Sequence, residues 1–325
     1  SNRPVKNLKN DTRYSRLLGK PFYKMFYADS ITNDTSKYLV LPLAKEINKR
    51  YNDGPGSFSP SYDTIWFTRT NVEKGITNRS KVNNLQIFYS LADETGWFIS
   101  LPFKYNNLAY SFAHPCITKN GKKLFFSSDM PGGSGGMDIY SCAMTDTGWS
   151  RPVNLGDKVN SSEDDVFPFY DEARNVLYFS SAGHMSIGGL DVFKTTVVNN
   201  RWVTPQNLLP PYNYSKDDFS FFLNKDGKSG YLSSNRATAP GDDDIFSFSA
   251  GNSTANNQQI YVASISPVFI ENKSELPITD ANIMITSLST GNDLKRNPVT
   301  TGDMTYNFNT NELYKIEVIK EGFFK

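Results

Sequence analysis

The sequence predicts an all-β chain: a five-bladed β-propeller, its first blade incomplete, followed by a small β-sandwich. Three observations predict this. The first is a tandem repeat. Leu124-Phe125-Phe126-Ser127-Ser128 leads to Gly135-Gly136-Met137-Asp138-Ile139-Tyr140. Leu177-Tyr178-Phe179-Ser180-Ser181 leads to Gly188-Gly189-Leu190-Asp191-Val192-Phe193, and Gly230-Tyr231-Leu232-Ser233-Ser234 leads to Gly241-Asp242-Asp243-Asp244-Ile245-Phe246. Ser127, Ser180 and Ser233 stand 53 residues apart, as do Asp138, Asp191 and Asp244. The second is a closing landmark, Trp97, Trp149 and Trp202, at steps of 52 and 53. The third is a change of composition after Ala250. A fixed period of this length, with apolar runs broken by Gly-rich turns, marks a radial β-array.

Taken in order, the chain opens inside its first unit. Ser1-Asn2-Arg3-Pro4 resembles Ser234-Asn235-Arg236, and Lys24-Met25-Phe26-Tyr27 stands where the third strand begins, so the two innermost strands are expected upstream. Leu43 to Asn48 closes this unit, and Leu43 to Tyr51 is the nearest approach to a helix. The second unit carries Ile65-Trp66-Phe67-Thr68 and Gln86-Ile87-Phe88-Tyr89, with a longer loop of roughly Asn71 to Asn84 between them. In the third and fourth units Ala113 to Thr118 and Val166 to Tyr170 read as innermost strands. Tight turns such as Lys119-Asn120-Gly121-Lys122 and Asn224-Lys225-Asp226-Gly227 demand positive φ. The Leu-Phe-Phe run is the second strand, buried on both faces. The aspartate begins the third strand, and the Trp lies on a solvent-side fourth.

After the Trp come Pro152-Val153-Asn154-Leu155 and Pro205-Gln206-Asn207-Leu208, then Asn160 and Asn213. Proline is tolerated there because an outer edge needs no donor. The last unit, Tyr214 to Ala250, lacks this segment. Its outer strand is missing or comes from residues before Ser1, which would close the ring and remove exposed edges. Residues 1–250 are thus the propeller and 251–259, small and polar, a linker. In residues 260–325, Ile260-Tyr261-Val262, Ala281 to Thr286, Thr305 to Phe308 and Tyr314 to Ile319 alternate as short strands of a sandwich.

Candidate chemistry is sparse. The repeat positions Asp138, Asp191 and Asp244 are explained structurally: each carboxylate accepts from amides of the Gly-Gly turn and from serine hydroxyls of the second strand. A ligand role is the alternative. Gln86 and Lys24 at equivalent places suit a structural post better than a metal post. Gly132-Gly133-Ser134-Gly135-Gly136 matches a hydrolase elbow only formally, since that motif needs a strand–turn–helix setting. His114 and His184, the only histidines, fall in different blades. Asp164-Asp165, Asp217-Asp218 and Asp242-Asp243-Asp244 are acidic enough for Ca²⁺, yet the first two pairs recur with the repeat before inner strands. Thr145 to Trp149 faintly matches an Asp-box, in the wrong strand position. Cys116 and Cys142 fall on the first and third strands of one blade, about 9–10 Å apart and too far for a disulfide. The reading is therefore no catalytic residue, no cofactor and no metal, with the partner-binding residues unassigned.

Composition agrees. The chain has 325 residues, 14% aromatics and a formal charge of +1, which gives no general attraction to nucleic acid or anionic lipid. No apolar run approaches the ~20 residues of a membrane span.

Residues Lys119 to Asp129, with the Gly-Gly-x-Asp-[Ile/Val]-[Phe/Tyr] strand, resemble the TolB-type PD propeller repeat, a WD40-like unit. Leu276 to Ile283, Thr290-Gly291, Thr300-Thr301-Gly302, Tyr306-Asn307-Phe308, Tyr314 and Glu321 to Phe324 are similar to the carboxypeptidase regulatory-like domain, a transthyretin-like sandwich. Asp280 and Met304 depart from that pattern. The two together resemble the PorE-like periplasmic components of the Bacteroidota type IX secretion system. The resemblance implies a non-enzymatic periplasmic scaffold tethered to the outer membrane, with protein partners from the secretion machinery. It implies peptidoglycan binding only through a C-terminal OmpA-type domain outside these residues. A ligand- or carbohydrate-binding propeller, or the accessory propeller of a hydrolase, is the competing reading.

Overall fold

The structure, a computed structural model, describes residues 22–28, 40–49, 52–70, 84–236, 243–249, 282–287, 293–298 and 314–319. The chain divides into two compact units, Ser1–Gly251 and Asn252–Lys325. All regular structure among the described residues is β.

The first unit holds four antiparallel blades in propeller-like array and one further two-stranded sheet. It opens with a two-stranded sheet of β1 (Phe26–Ala28) and β2 (Val40–Pro42). The first full blade contains β3 (Asp53–Phe58), β4 (Thr64–Thr70), β5 (Leu85–Asp93), β6 (Gly96–Trp97) and β7 (Leu101–Pro102). The next contains β8 (Phe112–Ile117), β9 (Lys123–Ser128), β10 (Asp138–Thr145), β11 (Gly148–Trp149) and β12 (Val153–Asn154). The third contains β13 (Asp165–Asp171), β14 (Val176–Ser181), β15 (Asp191–Val198), β16 (Arg201–Trp202) and β17 (Gln206–Asn207). The fourth has three strands, β18 (Asp218–Leu223), β19 (Ser229–Ser234) and β20 (Asp244–Ser249). Each inner strand lies against the two inner strands of the blade before it: β8 on β3 and β4, β13 on β8 and β9, β18 on β13 and β14.

Register follows the repeat. Asp138 pairs Ser128, Asp191 pairs Ser181 and Asp244 pairs Ser234. The second strand is buried on both faces because it is sandwiched between blades; Leu124, Phe125, Phe126, Leu177 and Phe179 are fully buried. Gly121 and Gly227 close the inner hairpins at φ of 67° and 66°, a conformation that costs glycine little. Every inner strand also bulges once, between Asp53 and Gly56, Ala113 and Cys116, Val166 and Phe169, and Phe219 and Phe222. Gly54, His114, Phe167 and Ser220 take positive φ there. The rings of His114 and Phe167 stack at 3.8 Å, and Phe167 meets Phe219 at 5.1 Å.

Two expectations need correction. Leu43 to Tyr51, the nearest approach to a helix in the sequence, makes a single turn where described: Asn48 N–H reaches the Ala44 carbonyl once, and the turn does not continue. The fourth strand is split into two short pieces, both paired to the third strand, in all three full blades; Pro152 and Pro205 stand at the break in two of them, where a missing N–H suits an interrupted ladder, and Ser100 stands there in the first. The Trp on its first piece is only half-exposed, since it turns toward the neighbouring blade. The long loop of the second unit lies outside the described residues apart from Asn84.

In the second unit β21 (Asn282–Ser287) is central, flanked by β22 (Asp293–Pro298) and β23 (Tyr314–Ile319), all antiparallel. The sequence pattern missed β22. Its run of Asp, Lys, Arg and Pro has no alternation, and such residues suit an edge. The linker and the strands expected at 260–262 and 305–308 lie outside the described residues.

Candidate functional site

The recurring polar residues bond the backbone of their own blade or the next. Asp138 accepts from the Ser134 N–H at 2.6 Å, the Gly135 N–H at 3.2 Å and the Asn154 side chain at 2.8 Å. Asp191 accepts from Ile187 N–H, Gly188 N–H and Asn207 at 2.6, 3.3 and 2.7 Å. The expected serine donors do not reach these carboxylates. Ser127 and Ser180 are buried with hydroxyls that find no partner among the described residues, because register places them opposite Ile139 and Val192. The asparagines of the outer strand take that role. Asp244 begins β20 and is half-buried, and Ser233 is half-buried beside it. Burial raises the Asp191 carboxyl above its ordinary range.

A second device was only partly legible. Asn160 Oδ1 accepts from Ile139 N–H at 2.8 Å while its Nδ2 donates to the Ile139 carbonyl at 3.1 Å. Asn213 does the same to Val192 at 2.8 and 2.8 Å, Asn106 to Ile87 at 3.1 and 2.6 Å, and Asn48 to Met25 at 2.9 and 2.8 Å. In all four the same carbonyl also accepts from the outer strand, from Leu155, Leu208, Phe103 and Leu43. Asn106 escaped notice because Tyr105-Asn106 breaks the Asn-Leu spacing of its counterparts.

The acid pairs divide their labour. Asp164 accepts from Met137 N–H at 2.8 Å, and Asp165 N–H donates to the Met137 carbonyl at 2.6 Å. Asp217 and Asp218 clamp Leu190 identically at 3.0 and 2.6 Å. The second acid is a buried cap of the inner strand. Asp218 meets Arg236 at 2.5 Å, and Asp53 meets Arg69 at 2.7 Å and Lys24 at 3.0 Å. Asp165 accepts from the Ser161 N–H and hydroxyl at 2.5 and 2.9 Å, and among the described residues its one basic neighbour is His184, 3.9 Å away, whose Nε2 sits 2.7 Å from the Val159 carbonyl. Burial therefore raises the Asp165 carboxyl. Asp242 lies outside the described residues.

Gln86 inverts the chemistry of the aspartate: its amide donates to the carbonyls of Leu85, Asn107 and Tyr110. His114 is pushed down to about 3 by burial, and its Nδ1 has no partner among the described residues. Ser134 of the formal elbow spends its N–H on Asp138 within the β9–β10 loop. The thiols of Cys116 and Cys142 are free and buried, pushed up to about 11 and 12 by desolvation. Among the described residues no three His, Cys, Asp or Glu side chains group as metal ligands.

A cleft of about 390 Å³ lies between the first two full blades. Trp66 and Tyr89, opposite each other on β4 and β5, stack side by side on one wall at 4.8 Å and 27°, and Trp149 and Phe103 meet Trp66 edge-on at 5.6 and 5.7 Å. Ser59, Thr64, Lys104 and the half-exposed Leu91 and Met144 complete the lining. Such a mix binds apolar or planar groups and orients them with few polar contacts. Trp97 packs with Ile47, Ile65, Phe67 and Met25, and Trp202 with the cluster of Phe125, Phe179 and Phe193. The three landmark tryptophans therefore stand in separate inter-blade packing sites.

No family profile and no curated protein matches the sequence. Among solved structures, the chain is similar to TolB from Acinetobacter baumannii (14% identity, TM-score 0.43), covering 67% of this chain and 45% of that one. It is also similar to an alpha-L-arabinofuranosidase from Lactobacillus brevis (12% identity, TM-score 0.45; 66% and 78% covered). A puromycin-hydrolyzing peptidase from Mycobacterium tuberculosis is similar at 12% identity and TM-score 0.38, with 66% and 29% covered. The chain thus spans less than half the length of the TolB and of the peptidase. With scores this low, strand order and register are the grounds for the fold.

Proposed function

We propose that this chain is a non-catalytic scaffold that holds protein partners. We further propose that it is periplasmic, close to the outer membrane, and part of a type IX secretion machine. The observation that carries the scaffold reading is the use of the recurring polar groups. Asp138, Asp164, Asp191, Asp217 and the four asparagines hold backbone within and between blades, while the open cleft is lined by Trp66, Tyr89, Phe103 and Trp149. The secretion role and location are supported by the sequence resemblance of the repeats and of residues 276–324. On this reading residues 22–49 are the outer half of a fifth blade, supported by the Asn48 clamp on Met25, and residues 260–325 form the regulatory-like sandwich.

The test is photo-crosslinking in an envelope preparation from a photoreactive residue at Met144 or Leu91. A discrete protein adduct, absent when the label sits at Asn199 on another blade, is expected. Turnover of a peptide or glycoside by the purified chain would sink the reading. The stacked Trp66–Tyr89 pair favours one second reading, a carbohydrate ligand. Quenching of tryptophan fluorescence by soluble glycans, lost in Trp66→Leu, would select it.

A further inference from the structure

We propose that the joint between the blade of β8–β12 and the blade of β13–β17 is a pH-sensitive bolt, held by one proton that Asp165 and His184 keep between them and loosened when that proton leaves. The ground is a comparison of equivalent residues at successive joints. Ile47, Val159 and Tyr212 each directly precede a clamping asparagine, in the segment that leads into the next blade. The carbonyl of each meets a basic side chain of that next blade, which also faces the buried acid at the head of the inner strand. Arg69 donates to the Ile47 carbonyl and, at 2.7 Å, to Asp53 Oδ1. Arg236 donates to the Tyr212 carbonyl at 2.9 Å and to Asp218 Oδ1 at 2.5 Å. Between these two joints the same pair of acceptors, the Val159 carbonyl and Asp165 Oδ1, faces His184 Nε2 at 2.7 and 3.9 Å. The blade of β8–β12 has no acid there: Phe112 stands opposite Ser128, where Asp165 stands opposite Ser181, and packs with Met130.

Arginine keeps its charge at every pH a protein experiences, and imidazole does not. Ser161 satisfies Asp165 Oδ2 through its N–H and hydroxyl, but Oδ1, the oxygen toward His184, has no hydrogen bond. Nε2–H of His184 is committed to the Val159 carbonyl, so the ring takes up charge at Nδ1. Its side chain is 20% exposed, which gives the proton a route to solvent. Phe179 of β14, Phe193 of β15, the Val159 carbonyl and Asp165 of β13 pack on the ring, and of these Asp165 is the group that titrates. Asp164 turns instead to the Met137 N–H, and Glu163 is exposed. With a proton on either partner, Asp165 faces a cation or is itself neutral. Once the proton leaves, a buried carboxylate faces a neutral ring, and a charge buried without its partner is costly. Desolvation raises the Asp165 carboxyl, so the folded chain keeps a proton that the unfolded chain has released. The stability this supplies is lost as pH rises through the folded value. Low pH tightens the joint and high pH loosens it. None of this rests on the function proposed above.

The experiment compares amide protection factors in the 325-residue chain at pH 5.5 and 8.5, either side of the ordinary imidazole value of about 6.5. The Met137 N–H donates to Asp164 and the Asp165 N–H to the Met137 carbonyl, so both amides report on this joint. They should be about tenfold less protected at pH 8.5, as a tenfold difference in proton affinity between the closed and open joint requires. The Leu190 and Asp218 amides, at the joint held by Arg236, should keep their protection. An effect of His114 on the whole fold would instead move both joints alike. His184→Arg supplies a permanent cation, and Asp165→Asn removes the charge while keeping an acceptor for Ser161. Each should hold Met137 protection at its pH 5.5 level throughout, and if the longer arginine prevents folding, Asp165→Asn decides alone. Equal protection at both pH values, an equal change at both joints, or a pH dependence that survives in either folded variant would overturn the proposal.

Discussion

Asn48, Asn106, Asn160 and Asn213 each stand in for a missing peptide group, offering one acceptor and one donor to a strand whose ladder would otherwise stop. Substituting Asn213 by Ala strands the N–H of fully buried Val192 and leaves its C=O with the Leu208 N–H alone, and an unsatisfied buried group costs about 1–3 kcal/mol. Urea unfolding of Asn213→Ala should show a loss in that range, and of Asn213→Asp a smaller one, since a carboxylate still accepts from Val192 N–H. No change in midpoint would show that water replaces the clamp. His114 and the buried aspartates pull pH dependence in opposite directions. Burial depresses the His114 imidazole to about 3, so below the unfolded value of about 6.5 the unfolded chain binds a proton that the folded chain refuses. Stability falls as pH drops from that value toward 3. Asp165 and Asp191 are raised by desolvation, so their burial opposes folding most above their folded values and is relieved as pH falls through them. His114→Asn keeps a residue tolerant of positive φ and should flatten the loss between pH 6.5 and 3. An unchanged pH profile would show that His114 is solvated.

Between elements the Gly-Gly doublets matter for the space they leave. A Cβ on Gly136 would lie 2.4 Å from Asp164 Oδ1, and one on Gly189 2.1 Å from Asp217 Oδ1. Those carboxylates are the pins between blades, so neither can yield without losing its amide. Gly189→Ala should therefore destabilise by roughly 1–3 kcal/mol and speed exchange of the Leu190 amide, leaving that of Met137 unaffected. Equal acceleration at both sites would mean the pins are not local. Trp149 joins two blades through Trp66, and Tyr105 Oη donates to its carbonyl at 2.9 Å. Trp149→Ala should cost about 3 kcal/mol, at the lower end for buried aromatic truncations, because the ring is partly exposed. A variant that melts normally would show that the cleft walls stand without it.

Across the first unit each blade touches mainly the next, so stability is close to a sum of blade and interface contributions. The blade of β18, β19 and β20 has fewer strands than the others and an exposed alternate face on β20, with Ser229–Ser234 as its only described partner there. It should open first. Native-state hydrogen exchange is expected to show lower opening free energies for β18–β20 than for β13–β15. The reverse order would place the weak interface elsewhere.

The repeat step, the two-sided burial of Leu-Phe-Phe strands, the positive-φ turns and the aspartate at the head of the third strand were determined by sequence alone. Local chemistry recurs at a fixed interval, and a strand buried on both faces needs an unbroken apolar run. The three-dimensional packing decided what no interval reveals: that asparagine rather than serine answers the aspartate, that the acid pairs pin one blade to the next, and that Trp66 and Trp149 meet in a cleft. The first of these depends on how the outer strand of one blade registers on its third strand; the other two join residues from different repeats, which only the lateral stacking of blades brings within reach of each other.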